Sequence, residues 1–337
     1  MTDPTILALI VNYRTPELTL KAAEAALREM EGLRGEVLII DNASGDGSFA
    51  WLTEKAEARG WTADGRLRVM DAGRNGGFGA GMNVGIRTGL STGDTADFYY
   101  LLNSDACPEP GAIPQLLDVL SAHPGAGMAG SFVRGEDGVA HRAAFRFPTI
   151  AGEFEMAARI GPISRLLKRA IVAMPIPEEV TRVDWAIGAS LMIRAETLEQ
   201  IGLFDETFFL YFEETDLCLR AARAGWDTLF VPQSVVVHKG SASTGMKEWV
   251  RIPAYWFESR NHYFTKNHGR LYASAATLAR VAGQAIWHIR RILSGRPTTD
   301  PERFLRDLIV HDLRARPRRP MRIPQFSVNH RTAEDKK

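Results

Sequence analysis

Short apolar runs recur along the first part of the chain at 6–11, 36–40, 67–70 and 98–102, and stretches with helical spacing separate them at 16–30, 48–59 and 79–88, with another at 111–122. Strand and helix alternating at this spacing predict βαβ units and a largely parallel sheet, the α/β class. In such sheets ligands bind beyond the carboxyl ends of the strands. Polar residues fall at those ends: Asn12 and Tyr13 after the first run, Asp41 and Asn42 after the second, Arg74 and Asn75 after the third, and Asn103, Ser104 and Asp105 after the fourth. Turn formers have the same composition, and for 41–48 taken alone turn and helix-cap roles outweigh ligand contact.

The pattern loosens at 135–181, which holds Pro148, Pro162, Pro175 and Pro177 and reads as an irregular, acceptor-side insertion. A strand is predicted at 183–193, a helix at 195–201, a helix with an acidic start at 213–224, and two final strands at 226–231 and 234–238. From about 250 the periodicity is helical, with Trp249, Tyr255, Trp256, Tyr263, Tyr272 and Trp287 interleaved with Arg280, Arg290 and Arg291. The expected organisation is a sheet domain over 1–245 followed by a helical, basic region over 246–337 with a disordered tail. Residues 271–293 are apolar on one side and basic toward their end. That fits an interfacial helix on a membrane and a helix packed in the protein or in a homodimer equally well.

Charge changes this picture only at the end of the chain. Formal net charge is +1, so no global field argues for nucleic acid, whereas residues 270–337 carry 15 Lys and Arg against 6 Asp and Glu, a local excess of nine. Several basic residues near an anionic leaflet each contribute roughly 1 kcal/mol. Cys107 and Cys218 are the only cysteines and show neither zinc nor disulfide spacing. With no signal-peptide pattern and no apolar run of about 20 residues, the expected location is cytoplasmic, peripheral on the inner face of the cytoplasmic membrane.

Three segments carry candidate chemistry. Glu213, Glu214 and Asp216 crowd into four positions between aromatic and apolar residues, where negative charge needs a cation, a proton or water nearby. Favourable placement at a helix start is the competing explanation. Asn103 and Asp105 form an N-x-D at a strand end, which suits Mg²⁺ or Mn²⁺ bridging a diphosphate. His238 would favour Mn²⁺ if it came close, although a lone His after three valines is more often structural. The glycine run 75–83 has neither the dinucleotide nor the P-loop spacing. Its glycines would let a ligand lie against backbone at a helix start.

Taken in order, Val11-Asn12-Tyr13, Asp41-Asn42-Ala43-Ser44, Arg74-Asn75-Gly76-Gly77-Phe78-Gly79 with Asn83, Leu102-Asn103-Ser104-Asp105, Trp185-Ala186-Ile187-Gly188-Ala189 and Phe212-Glu213-Glu214-Thr215-Asp216 resemble the inverting family-2 glycosyltransferases with the GT-A fold, in particular their rhamnosyltransferase-like branch. The resemblance covers roughly residues 5–245. It implies a nucleoside-diphosphate sugar, dTDP-L-rhamnose, as donor and a glycan or lipid-linked glycan as acceptor. Base and ribose would lie against Asn12, Asp41, Arg74 and Asn83, with Tyr13, Asn75 and Ser104 in the same pocket. Asp105 corresponds to the acid of the family's D-x-D motif and would bind Mg²⁺ or Mn²⁺. Asn103 replaces the first acid, a departure that weakens the expected metal affinity. Trp185, Gly188 and Ala189 would shape the sugar pocket, and Glu214 would be the catalytic base, with the choice between Glu213 and Glu214 open and Asp216 orienting the helix or the acceptor. A sugar nucleotidyltransferase is the competing enzyme class, but 11–17 lacks a Gly-rich basic triphosphate loop. A non-catalytic carbohydrate-binding protein of the same fold would not need Asp105 and the acidic cluster.

Overall fold

A computed structural model describes residues 3–240, 249–295 and 300–314. In chain order the elements are β1 (Thr5–Asn12), α1 (Pro16–Glu29), β2 (Arg34–Asp41), α2 (Ser48–Ala58), β3 (Leu67–Asp71), α3 (Phe78–Thr88), β4 (Phe98–Asn103), β5 (Ala106–Pro108), α4 (Ala112–Ala122) and β6 (Ala126–Arg134). There follow β7 (Ala140–His141), β8 (Ala144–Phe145), α5 (Ile150–Ala158), α6 (Gly161–Leu166), β9 (Thr181–Val183), β10 (Trp185–Ala186), β11 (Ser190–Arg194), α7 (Ala195–Ile201), α8 (Glu213–Arg223), β12 (Asp227–His238), α9 (Ala254–His268), α10 (Arg270–Leu293) and α11 (Phe304–Arg314).

The main sheet runs β3-β2-β1-β4-β11-β6-β12-β5 among the described residues. Its first four strands are parallel, as predicted. β11 enters antiparallel between β4 and β6. Side chains alternate across β1, so Ile6, Ala8 and Ile10 pack under α1, α2 and α4 while Leu7 and Leu9 pack under α3, α7 and α8. Both faces are covered, which explains why these strands read as continuous apolar runs.

Two strand expectations change. Residues 226–231 and 234–238 belong to one strand, β12, which pairs with β6 through a register irregularity between Val231 and Val235. Pro232 sits in that irregularity, where its missing N–H costs the ladder least. Conversely, the strand expected over 183–193 is three short ones, because β10 leaves the main sheet to pair with β8. The break frees Ile187, Gly188 and Ala189 to form a loop.

The insertion is more ordered than its prolines implied. Thr149 caps α5 by accepting from the Gly152 amide at 3.0 Å, and Pro162 stands in the first turn of α6. Pro162 thus marks a helix start. Helices α9, α10 and α11 close on α5 and α8. Arg260, 1% exposed, pairs with Glu153 of α5 at 2.8 Å and lies 3.6 Å from Asp312 of α11. Arg280 of α10 adds a 3.5 Å contact to the same Glu153. Such a buried network is costly to break, since removing one partner strands the other's charge. Tyr263, Phe264 and Tyr272 fill the interior between α9, α10 and the rest, and Trp287 is buried on α10. Of the aromatic residues that read as a membrane-facing set, Tyr263 and Trp287 are therefore buried, while Trp249, Tyr255, Trp256 and Tyr272 are half-buried. Residues 315–337, where a disordered tail was expected, lie outside the described residues.

Candidate active site

The expected rim forms at the carboxyl ends of β1, β2 and β4, and its residues divide by how far their polar atoms are already engaged. Asn12 is fully buried, donates to Asp41 Oδ1 at 2.6 Å and accepts from Thr19 Oγ1 at 2.7 Å. Asp41 also accepts from the Ser44 amide at 2.9 Å and hydroxyl at 2.6 Å. Asn12 and Asp41 thus lock the β1 and β2 ends together. Ser104 is buried and accepts from Thr15 Oγ1 at 3.2 Å. Tyr13 is partly exposed beneath the Arg14 guanidinium, 5.2 Å from the ring centroid. Arg14 itself was not singled out from sequence. It has φ +58° and is tied to Ser44 by its amide and its Nε, both at 3.0 Å.

Arg74 and Asn83 meet at a residue that sequence reading also passed over. Arg74 pairs with Glu206 Oε2 at 2.6 Å, and Asn83, fully buried, donates to Glu206 Oε1 at 3.0 Å and to the Phe204 carbonyl at 2.9 Å. Asn83 also accepts from the Phe204 amide at 2.9 Å. Its amide is consumed in fastening α3 to 204–206, so it shapes the site from within. Asn75 accepts from Asn42 Nδ2 at 3.1 Å and from the Gly77 amide at 3.0 Å. Asn42 Oδ1 is buried and has no partner among the described residues.

The glycine run does its work at Gly77. Its φ is +89°, and a Cβ there would lie 1.7 Å from the Phe209 carbonyl oxygen. Phe78 donates to the same carbonyl at 3.2 Å. The loop is thereby sealed against the segment leading into α8. Gly77→Ala is expected to destabilise the protein by at least about 2 kcal/mol, combining a left-handed backbone with a steric clash. Thermal unfolding checks this, and an unchanged Tm would contradict the close approach.

Tyr211 and Phe212, both with φ +69°, turn the chain sharply into α8. Bulky residues rarely adopt that conformation. The turn sets Glu213, Glu214 and Asp216 in the first turn of α8, where the helix dipole favours them. Their surroundings differ. Asp216 is fully buried and accepts from Arg220 Nε at 2.9 Å, Lys266 Nζ at 2.7 Å and Asn267 Nδ2 at 2.9 Å, so it orients α8 against α9 and does not face a substrate. Beside it, burial works to raise Asp205, but the His262 hydrogen bond and the Lys266 charge outweigh it and hold the carboxyl well below its usual range. Glu213 is buried, and its Oε2 has no partner among the described residues. Burial, reinforced by the neighbouring Glu214, pushes its pKa well above the ordinary carboxylate value. Glu214 is partly exposed and accepts from the Gly188 amide at 3.2 Å; burial raises its pKa too.

The 187–189 loop joins the two halves. Gly188 donates to Glu214, and the next carbonyl, of Ala189, accepts from the Asn103 amide at 3.1 Å. A Cβ on Gly188 would press on the Phe78 ring at 3.0 Å and approach Glu214 Oε1 at 3.4 Å. Trp185 stacks on Phe145 at 4.3 Å and donates to the Arg146 carbonyl at 3.0 Å, tying the start of this loop to the insertion. On the far side, β12 pairs with β5 so that His238 lies opposite Ala106. His238 Nε2 is then 3.0 Å from Asp105 Oδ1 and 3.3 Å from Asn103 Nδ2. His238 thus does reach Asp105, as its strand-end position allowed. No group of three or more His, Cys, Asp or Glu residues stands in metal-binding proximity among the described residues. One carboxylate, one imidazole and an amide oxygen fit a hard divalent cation that draws its remaining oxygens from a diphosphate and water.

A largely parallel α/β sheet thus carries an acid-imidazole pair at one strand end and two adjacent glutamates at the start of a neighbouring helix. The chain belongs to the glycosyltransferase-like family 2, whose profile matches residues 4–264, and is a glycosyltransferase with the GT-A fold. It is 32% identical over 217 residues to the N-acetylglucosaminyl-diphospho-decaprenol L-rhamnosyltransferase of Mycobacterium tuberculosis, covering 62% of this chain and 68% of that one. A shorter match, 36% over 58 residues, 17% of this chain and 22% of the other, relates it to the rhamnosyltransferase WbbL of Escherichia coli. The mannosyltransferase PcManGT of Pyrobaculum calidifontis, solved with GDP-Man and Mn²⁺, shares the fold at TM-score 0.52 and 14% identity over 93% of this chain and 86% of that one. No helix among the described residues is long and apolar enough to cross a membrane.

Proposed function

We propose that this glycosyltransferase transfers L-rhamnose from dTDP-L-rhamnose to a hydroxyl of a lipid-linked glycan precursor, inverting the anomeric carbon. The observation that carries the mechanism is the Gly188–Ala189 dipeptide, which holds Glu214 through one residue and Asn103 through the next and so sets a base beside the diphosphate end of the rim. The rhamnosyl donor and lipid-linked acceptor rest on the relatives of known activity.

In this reading Glu214 takes the proton of the acceptor hydroxyl as its oxygen attacks the anomeric carbon. The bond from that carbon to the diphosphate oxygen breaks, and the nucleoside diphosphate leaves from the opposite face. Asp105 and His238, with Asn103 beside them, would hold Mg²⁺ or Mn²⁺, which supplies positive charge against the leaving diphosphate. Burial and the neighbouring Glu214 favour the protonated form of Glu213, which makes it the poorer base of the pair. Asn12 and Asp41, with Tyr13, Asn75 and Arg74 at the margin, define the nucleoside pocket, and Trp185, Gly188 and Ala189 bound the sugar.

The acceptor approaches between the insertion and an aromatic wall next to Glu213. Tyr211 lies parallel to Tyr255 at 6.3 Å, and Trp249 stands edge-on to Tyr211 at 5.9 Å. Rings of this kind present flat apolar surface to the C–H face of a sugar while keeping polar edges.

A thermal-shift panel tests the donor. A ligand that binds only the folded chain stabilises it, by about 2.7 kcal/mol at a hundredfold excess over Kd. The expected result is the largest shift with dTDP-L-rhamnose and Mn²⁺, lost with chelator. Stabilisation by UDP- or GDP-sugars with none by dTDP-sugars would reject dTDP-L-rhamnose as the donor.

A further inference from the structure

Helix α10 carries an exposed apolar seam that no part of the catalytic account uses. The helix packs inward through Ala273, Ala276, Thr277, Gly283, Gln284 and Trp287. On the opposite side, Leu271, Ala275, Leu278, Ala282, Ala285, Ile289 and Ile292 follow one another at steps of 4, 3, 4, 3, 4 and 3 residues. That is the strict seven-residue repeat of a helix meeting another helix, narrower than the broad stripe by which a single helix covers a core. The large members of the seam are open to solvent: Leu271 is 90% exposed, Leu278 69%, Ile289 60% and Ile292 71%. Ala282 and Ala285 are exposed as well.

We infer that this seam docks on the same seam of a second copy of the chain, making an antiparallel two-helix contact about a two-fold axis near Ala282. Three features favour a helix as the occupant over lipid. First, the alanines contribute little apolar area to a bilayer but allow two helices to approach closely, since interaxial distance follows side-chain size. Second, between Arg270 and Arg290 the only Lys or Arg is Arg280, and its guanidinium is turned inward to Glu153. An interfacial helix would carry basic residues along its polar margin, whereas this margin is uncharged. Third, the one tryptophan of this helix, the kind of residue that anchors interfacial helices, is buried: Trp287 is 8% exposed.

The seam is self-complementary. Antiparallel pairing about Ala282 sets the Leu271 end of one helix against the Ile292 and Leu293 end of the other and brings the alanines together at the crossing, with helix dipoles opposed. A closed two-fold contact of identical patches is the commonest form of oligomer. Its size bounds its strength. A helix of 24 residues is about 36 Å long, and a strip about 10 Å wide along it buries roughly 800 Å² in total, below the 1,200–2,000 Å² of stable interfaces. The dimer is therefore weak and forms only at high protein concentration.

Sedimentation velocity of the full chain across a concentration series reads this directly. A 37.3 kDa monomer should give way to a dimer at tens of micromolar, and Leu278→Glu or Ala282→Glu should weaken dimerisation at least tenfold while leaving Tm and donor hydrolysis unchanged. In a Cys107→Ser background, Ala282→Cys should form a disulfide-linked dimer under mild oxidation. A chain that stays monomeric at every concentration overturns the inference, whether its seam then binds phosphatidylglycerol vesicles, covers itself with its own tail or does neither. A dimer indifferent to both glutamate substitutions overturns it equally.

Discussion

Glu214→Gln is expected to leave donor binding intact and to lower turnover a hundredfold or more, the usual scale for loss of a positioned general base. The paired substitution Glu213→Gln should keep most of the activity, because that carboxyl is buried, and burial together with the neighbouring Glu214 favours its protonated form, which Gln imitates. The pH dependence follows from the same environment. Burial raises Glu214, and only its ionised form accepts a proton, so the rate should rise with pH through a limb lying above the ordinary carboxylate value of about 4.3. Stability should move the other way. Native Glu213 retains a proton at pH values where the unfolded chain has released it, so its burial is least unfavourable below the unfolded pKa and becomes progressively destabilising as pH rises toward the folded one. Glu213→Gln should then raise Tm at neutral pH and have little effect in acid. An inactive Glu213→Gln beside an active Glu214→Gln would reverse the assignment.

Asp105→Ala should abolish transfer and remove the Mn²⁺ dependence of nucleotide binding while the fold survives. Asp105 supplies the one carboxylate at the β4 end, and His238 is held against it by the β5–β12 pairing. Isothermal titration of dTDP with and without Mn²⁺ reads the effect. His238→Ala should weaken the same dependence less, leaving a carboxylate in place. Unchanged Mn²⁺-dependent affinity in Asp105→Ala would remove Asp105 from the metal role.

Much of the rim was legible in sequence because strand ends announce themselves twice, by the end of an apolar run and by a polar pair after it. Asn12, Asp41, Asn103 and Asp105 were found that way. Whether each polar atom is spent inside the protein was not legible, since it depends on partners far away in the chain: Asn83 is consumed by Phe204 and Glu206, and Asp216 by Lys266 and Asn267. Local periodicity carries no information about those distances. The same limit explains Glu206, an unremarkable surface acid in sequence that gathers Arg74, Arg87 and Asn83 in space. Prolines misled in the insertion, where Pro162 stands in the first turn of a helix, and the two strands expected at 226–231 and 234–238 are one strand with a register irregularity at Pro232. The aromatic and basic residues after 250 were read by composition, and only burial shows that Tyr263, Trp287 and Arg260 are interior while an aliphatic seam is left outside.

The central claim, a base on α8 working across the 187–189 loop from the Asp105 rim, is tested most directly by product analysis. Wild-type enzyme and Glu214→Gln are incubated with dTDP-L-rhamnose, Mn²⁺ and a polyprenyl-diphosphate-linked N-acetylglucosamine, and the glycolipid is examined by mass spectrometry and by NMR of the anomeric proton. The account predicts a rhamnosylated product of inverted anomeric configuration from wild type and at least a hundredfold less from the variant. Retained configuration, or equal yield from Glu214→Gln, would contradict it.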